Sequence, residues 1–152
     1  RRSGRSMLEL DAVVDAVRAL DAAHDLVLVE GAGGVAVRLG AEGFTVLDIA
    51  GAVSAPIVIV AGAELGTLNH SVLTIAAARA AGVECAGLVI GSWPAAPSLA
   101  ARVNRDELPL VTRIGLTACI PEGAGLLESR DFEALAVGAF GEFVDSSLGY
   151  PA

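Results

Sequence analysis

Strand-length apolar runs at residues 26–29, 56–61, 85–90 and 114–120 punctuate the chain, and longer amphipathic stretches fill the intervals. The first two runs are continuously apolar instead of alternating, the pattern of parallel strands buried on both faces. Residues 8–22 set Leu10, Val13, Val14, Val17 and Leu20 at helical spacing with Asp11, Asp15 and Arg18 opposite, which predicts a helix covering a sheet. Residues 129–143 repeat the pattern with Phe132, Leu135, Ala136, Ala139, Phe140 and Phe143. Between them, residues 67–81 read as a helix with Leu68, Val72 and Ile75 on one side, and residues 97–108 as one that fades into Pro109. Thr45 is placed to cap a helix over 46–50, with Asp48 at the positive end of its dipole. Residues 35–39 read as a short extended piece and 40–44 as a loop. Pro56 enters the second strand at its first residue, where a missing donor is tolerated.

Strand, glycine turn and helix thus repeat, and the predicted architecture is α/β: a parallel sheet with helices on both faces and right-handed crossovers. Residues 8–143 read as a single domain, 1–7 as a disordered or cut end that is neither signal nor transit peptide, and 144–152 as a tail. Hydrophobic residues make up 54% of the chain, yet no run approaches the roughly 18 residues of a membrane span. A net charge of −8 argues against nucleic-acid or anionic-membrane partners. All ten basic residues are Arg, so no Walker A lysine lies within these 152 residues. Cys85 and Cys119, far apart in apolar stretches, read as buried thiols of a reducing compartment, and a cytoplasmic location is expected.

Chemistry collects where strands end. Glu30 closes the first run, and Gly31, Ala32, Gly33 and Gly34 follow, a backbone that phosphate oxygens can approach beside an acid able to hold Mg²⁺. Gly66, Thr67, Leu68 and Asn69 open the helix after the second strand, where free N–H groups bind anions; Thr67 as a plain N-cap is the competing reading. Gly91 and Ser92 follow the third strand as a glycine turn that continues through Trp93 and Pro94. Pro121, Glu122 and Gly123 follow the fourth. Open α/β sheets bind ligands at this carboxyl edge. His24 and Asp48 read as surface and structural residues, and Trp93 as a loop anchor.

Taken in order, Val29-Glu-Gly-Ala-Gly-Gly34, Leu65-Gly-Thr-Leu-Asn-His70, Ala86-Gly-Leu-Val-Ile90 and Ile120-Pro-Glu-Gly123 resemble the dethiobiotin synthetase family. The likeness covers residues 8–143 and the carboxyl-terminal two-thirds or so of a typical member, a P-loop NTPase-like fold that is incomplete here. The resemblance implies Mg²⁺-dependent closure of a ureido ring on 7,8-diaminononanoate with CO₂ and ATP or another nucleoside triphosphate, by a homodimer. It makes Glu30 the Mg²⁺ ligand and lays Gly31, Ala32 and Gly33 along the phosphates, with Gly34 near the reacting amines. It gives Gly66, Thr67, Leu68 and Asn69 the substrate carboxylate, from the neighbouring subunit. Gly91, Ser92, Pro121, Glu122 and Gly123 take the base and ribose.

Two departures stand out. Gly91-Ser92 occupies the place where many members read adenine with Asn-Asp, which opens the site to a pyrimidine triphosphate. The P-loop, its Lys, the second Mg²⁺ acid and the catalytic Lys are absent, so no catalytic residue is expected in this chain and it is expected to be inactive alone. Two other readings compete: a non-catalytic dimerisation or binding module that keeps the sheet, and a related P-loop amidoligase or partition ATPase. The segment 65–70 favours the synthetase over the last.

Overall fold

The computed structural model of the protein describes residues 6–147. Contacts group the chain into two compact units, one running to Ile57 and including Ala76–Glu84, the other formed by Val58–Ile75 and the chain from Cys85 onward.

The first unit is built on two helices. α1, Leu10–Asp21, is amphipathic as its spacing predicts, and buries Val14. α2, Val46–Val53, starts at the predicted cap: the Leu47 N–H donates to Thr45 Oγ1 at 3.2 Å, and the Thr45 N–H donates to Asp48 Oδ2 at 2.7 Å. This reciprocal capping box satisfies donors that a helix start leaves over. The two helices pack together, and Arg18 reaches the Ala52 carbonyl. Residues 35–39 form no strand, and a 3₁₀ turn, Ala41–Gly43, stands in the predicted loop.

Residues 26–29 depart furthest from expectation. They were expected to form a strand buried on both faces, yet no strand forms there, and Leu28 is 84% exposed. A strand exists through its ladder, and no described residue pairs with this segment. It runs instead along an open groove with Leu8, Val13, Val17 and Leu20 of α1 and its approach.

The sheet has three strands in the order β1-β2-β3: Ile57–Ala61, Cys85–Trp93 and Leu116–Pro121. β2 is central, and its Leu88 and Ile90, with Leu108 of the helix α4, are the largest fully buried side chains. β2 and β3 are parallel, with Leu88 opposite Leu116 and Trp93 opposite Pro121. β2 therefore runs past Ile90 and absorbs Gly91 and Ser92, which were expected in a turn, through a register irregularity between Ile90 and Trp93. The extra length follows from pairing with β3, which propensity at a glycine does not register.

Helices surround this sheet. α3 is Thr67–Ala80, and its buried stripe is Thr67, Ser71, Ile75 and Ala78, while the expected stripe member Val72 is 40% exposed. α4, Leu99–Thr112, is capped by Ser98, whose Oγ accepts the Ala101 N–H at 2.9 Å. It continues through Pro109, beyond its predicted end; Thr112 Oγ1 donates to the Leu108 carbonyl at 2.6 Å just after the missing donor. α5, Ser129–Ser147, packs on β3 and outlasts its predicted end at Phe143. Its Phe143 lies over Gly87, where a Cβ would stand 2.9 Å from the ring. Among the described residues no helix is long and apolar enough to cross a membrane.

Candidate functional site

The second unit carries a site edge at the carboxyl ends of its strands. Trp93 lies in register with Pro121, and the Glu122 N–H donates to the Trp93 carbonyl at 2.8 Å. That bond joins the two segments predicted for the base and ribose, placing Gly91 and Ser92 beside Pro121, Glu122 and Gly123, all of them exposed. Gly123 turns the chain at φ 80° into the 3₁₀ turn Ala124–Leu126, a conformation glycine adopts without strain. Gly91 has a packing reason of its own: a Cβ there would stand 2.6 Å from Val60 Cγ1 of β1. The edge therefore offers backbone groups, the Ser92 hydroxyl and the Glu122 carboxylate.

Trp93 is half-buried, with the Arg105 guanidinium of α4 5.1 Å from its ring centroid. Trp93 was expected to anchor a loop, but it closes β2, and this cation–π contact ties that strand end to α4. The same Arg105 partly offsets the burial that pushes the Cys119 thiol above its ordinary value. Cys85 and Cys119 are half-buried, more open than expected, and neither is in a disulfide.

After β1 the chain turns at Gly66, φ +95°, into α3. Thr67 is not the N-cap but the first helical residue, and its N–H donates to the Glu64 carbonyl at 3.3 Å. The N–H groups of Leu68 and Asn69 meet no acceptor among the described residues, while that of His70 already donates to Gly66. Thr67 is 5% exposed, and its Oγ1 is a buried hydroxyl with no partner. The open cleft that Thr67 lines, with Ile59, Ala61, Glu64, His70 and Ser71, has a volume of about 250 Å³. Helix-start donors and an unused hydroxyl suit a small anion.

Glu30 to Gly34 belong to the first unit. Glu30 is exposed, and its carboxylate forms no ion pair or hydrogen bond among the described residues. Gly31 abuts α2, its missing Cβ lying 3.2 Å from that of Val46. Gly33 needs its positive φ of 92°, and Gly34 faces open space. Ala32 is exposed. Among the described residues no cluster of three or more His, Cys, Asp and Glu is preformed for a metal. An unengaged carboxylate still fits Mg²⁺, which commonly takes one or two protein carboxylates and completes its shell with water and substrate phosphates.

Sequence reasoning missed Asn104. It is 6% exposed on α4, and its Nδ2 donates to the carbonyls of Ala63 at 2.9 Å and Glu64 at 3.0 Å. An Asn in a helix interior, where its propensity is poor, was the available signal. Ser98 donates to the Glu64 carboxylate at 3.1 Å from the start of the same helix.

Residues 2–130 match the AAA domain family, and the chain belongs to that family, its parallel three-stranded sheet with helices around it agreeing with a P-loop NTPase-like α/β fold. Within that class its relatives are specific. It is similar to proteins named ATP-dependent dethiobiotin synthetase: 60% identical over 136 residues to that of Rhodococcus jostii (90% of this chain, 59% of the relative). The Rhodococcus erythropolis protein is 53% identical over 142 residues (93% and 63%), and that of Mycobacteroides abscessus 45% over 139 residues (91% and 62%). The chain thus spans about three-fifths of the length of these curated relatives.

Proposed function

We propose that this chain carries the nucleotide-edge and substrate-carboxylate parts of a dethiobiotin synthetase, a ligase of biotin biosynthesis. The observation that supports it best is the joining of Gly91-Ser92 to Pro121-Glu122-Gly123 by the Glu122–Trp93 bond, in a chain 60% identical over 136 residues to a protein named dethiobiotin synthetase. In this reading one amine of 7,8-diaminononanoate is carboxylated by CO₂ and the carbamate takes the γ-phosphoryl group of ATP. The second amine then closes on the mixed anhydride and releases phosphate. Such phosphoryl transfer depends mainly on positioning and charge neutralisation.

The chain's own residues have definable parts. Gly91, Ser92, Pro121, Glu122 and Gly123 hold the base and ribose through backbone groups, the Ser92 hydroxyl and the Glu122 carboxylate. Gly31, Ala32 and Gly33 lie along the phosphates and Gly34 beside the amines. Glu30 would hold Mg²⁺, which neutralises phosphate charge when bound. The N–H groups of Leu68 and Asn69, with the Thr67 hydroxyl behind Gly66, hold the substrate carboxylate, across a homodimer in which the neighbouring copy supplies the nucleotide. The phosphate-binding and carbamate-steadying Lys are not among these residues, which contain no Lys, so the 152-residue polypeptide by itself does not close the ring. The reading also places the protein in the cytoplasm.

The test is dethiobiotin formation from the diamine, bicarbonate and a panel of nucleoside triphosphates, with the intact protein as the cell makes it. Ring closure that depends on Mg²⁺ and falls on Glu30→Ala supports the proposal. Nucleotide hydrolysis independent of the diamine overturns it.

A further inference from the structure

The turn that aims the start of α3 is held from below by a single buried amide. Asn104 Nδ2 has two hydrogens, and the carbonyls of Ala63 and Glu64, at 2.9 and 3.0 Å, take one each. The Glu64 carbonyl accepts the Thr67 N–H as well. The orientation of the first turn of α3 and the fixed position of the turn before it therefore meet at one oxygen. Ser98 secures the Glu64 side chain from the surface, so two successive turns of α4 grip residues 63 and 64. Beyond the gripped turn stand the unused N–H groups of Leu68 and Asn69, and the partnerless hydroxyl of Thr67 lies buried in the wall of the open cleft that this residue lines.

We propose that Asn104 is a positioning residue for the carboxylate of the diamine substrate, acting through the turn at residues 63–66 on the anion-binding start of α3. The inference rests on the proposed synthetase reading. A buried amide kept only for packing would tolerate any substitute that fills its volume without unequal effects on substrates. One that aims donors at an anion matters in proportion to the anion's charge, because misplaced donors weaken ionic hydrogen bonds most.

The experiment uses the intact protein and compares Asn104→Leu with the parent on two substrates: the diamine acid and its methyl ester, which lacks the anion. Expected is a rise of about ten- to a hundredfold in KM for the acid. KM for the nucleotide, kcat, and KM for the ester should stay within about twofold. Equal KM values for the acid in variant and parent overturn the proposal, as does an equal shift for acid and ester, which would mean general loosening. Should Asn104→Leu fail to fold, Asn104→Ser, which keeps one donor, is judged by the same criteria. Failure of the underlying reading shows separately, on the parent: no ring closure, or no preference for acid over ester.

Discussion

Gly91→Ala tests whether the site edge is glycine for packing. The new Cβ would stand 2.6 Å from Val60 Cγ1, well inside the roughly 3.5–4.0 Å of a good carbon–carbon contact. Val60 is 70% exposed and can turn away, but a β-branched side chain forced from its rotamer costs about 0.5–1.5 kcal/mol, and residual overpacking brings the range to about 1–3 kcal/mol. Gly91 does not use a left-handed conformation, so Ala also gains about 0.4–1 kcal/mol from a less flexible unfolded chain. The net loss is about 0.5–2 kcal/mol, which at a urea slope of about 1–3 kcal/mol per molar moves the midpoint down by about 0.2–2 M. Val60→Ala, at an exposed position, should change little alone, within about 0.5 kcal/mol. In that background Gly91→Ala should become neutral or stabilising, a coupling of about 1–3 kcal/mol between the two sites. Urea denaturation of the parent, both single variants and the double variant reads this directly. If Gly91→Ala is harmless beside Val60, or remains harmful beside Ala at position 60, the close approach is not why glycine stands there.

Three further outcomes follow from the geometry. The Thr45 N–H and hydroxyl hold the Asp48 carboxyl below its ordinary value of 3.8, so the stabilisation is present above that value and is lost as pH falls through the lower folded-state value. The parent's thermal midpoint should therefore fall more steeply than that of Asp48→Asn in an acid titration below about pH 4, and parallel profiles would exclude the mechanism. Leu108→Ala, at a fully buried position, should cost about 2–5 kcal/mol in urea denaturation, and a loss below about 1 would mean that the α4 face is not core. Burial pushes the Cys119 thiol up and the Arg105 charge partly offsets it. Arg105→Gln should therefore slow alkylation of Cys119 at mildly alkaline pH, followed by peptide mass spectrometry, and faster alkylation would contradict the assignment.

Much of this fold is legible in the sequence because local and long-range preferences agree. The apolar runs at 56–61, 85–90 and 114–120 become β1, β2 and β3, and Thr45 caps α2 with Asp48 as the spacing predicts. Misreadings arise where distant partners decide. β2 extends through Gly91 and Ser92 because Trp93 meets Pro121, and α4 passes Pro109. α3 buries Thr67 and Ser71 in place of Leu68 and Val72. At the candidate site part of the meaning of the glycines is steric: Gly31 abuts Val46 and Gly91 abuts Val60. Asn104 carried only the weak signal of an Asn inside a helix, because its partners are main-chain carbonyls some forty positions away.

Residues 26–29 lie open, with Leu28 84% exposed and no ladder partner among the described residues. Four uncharged aliphatic residues in sequence, with unpaired amides and carbonyls, form a template for strand addition from another chain. For the polypeptide handled by itself, this makes the segment a site of self-association. Turbidity should grow with concentration, and a single charge such as Leu28→Lys, set where the exposure is greatest, should suppress it without touching the sheet of the second unit.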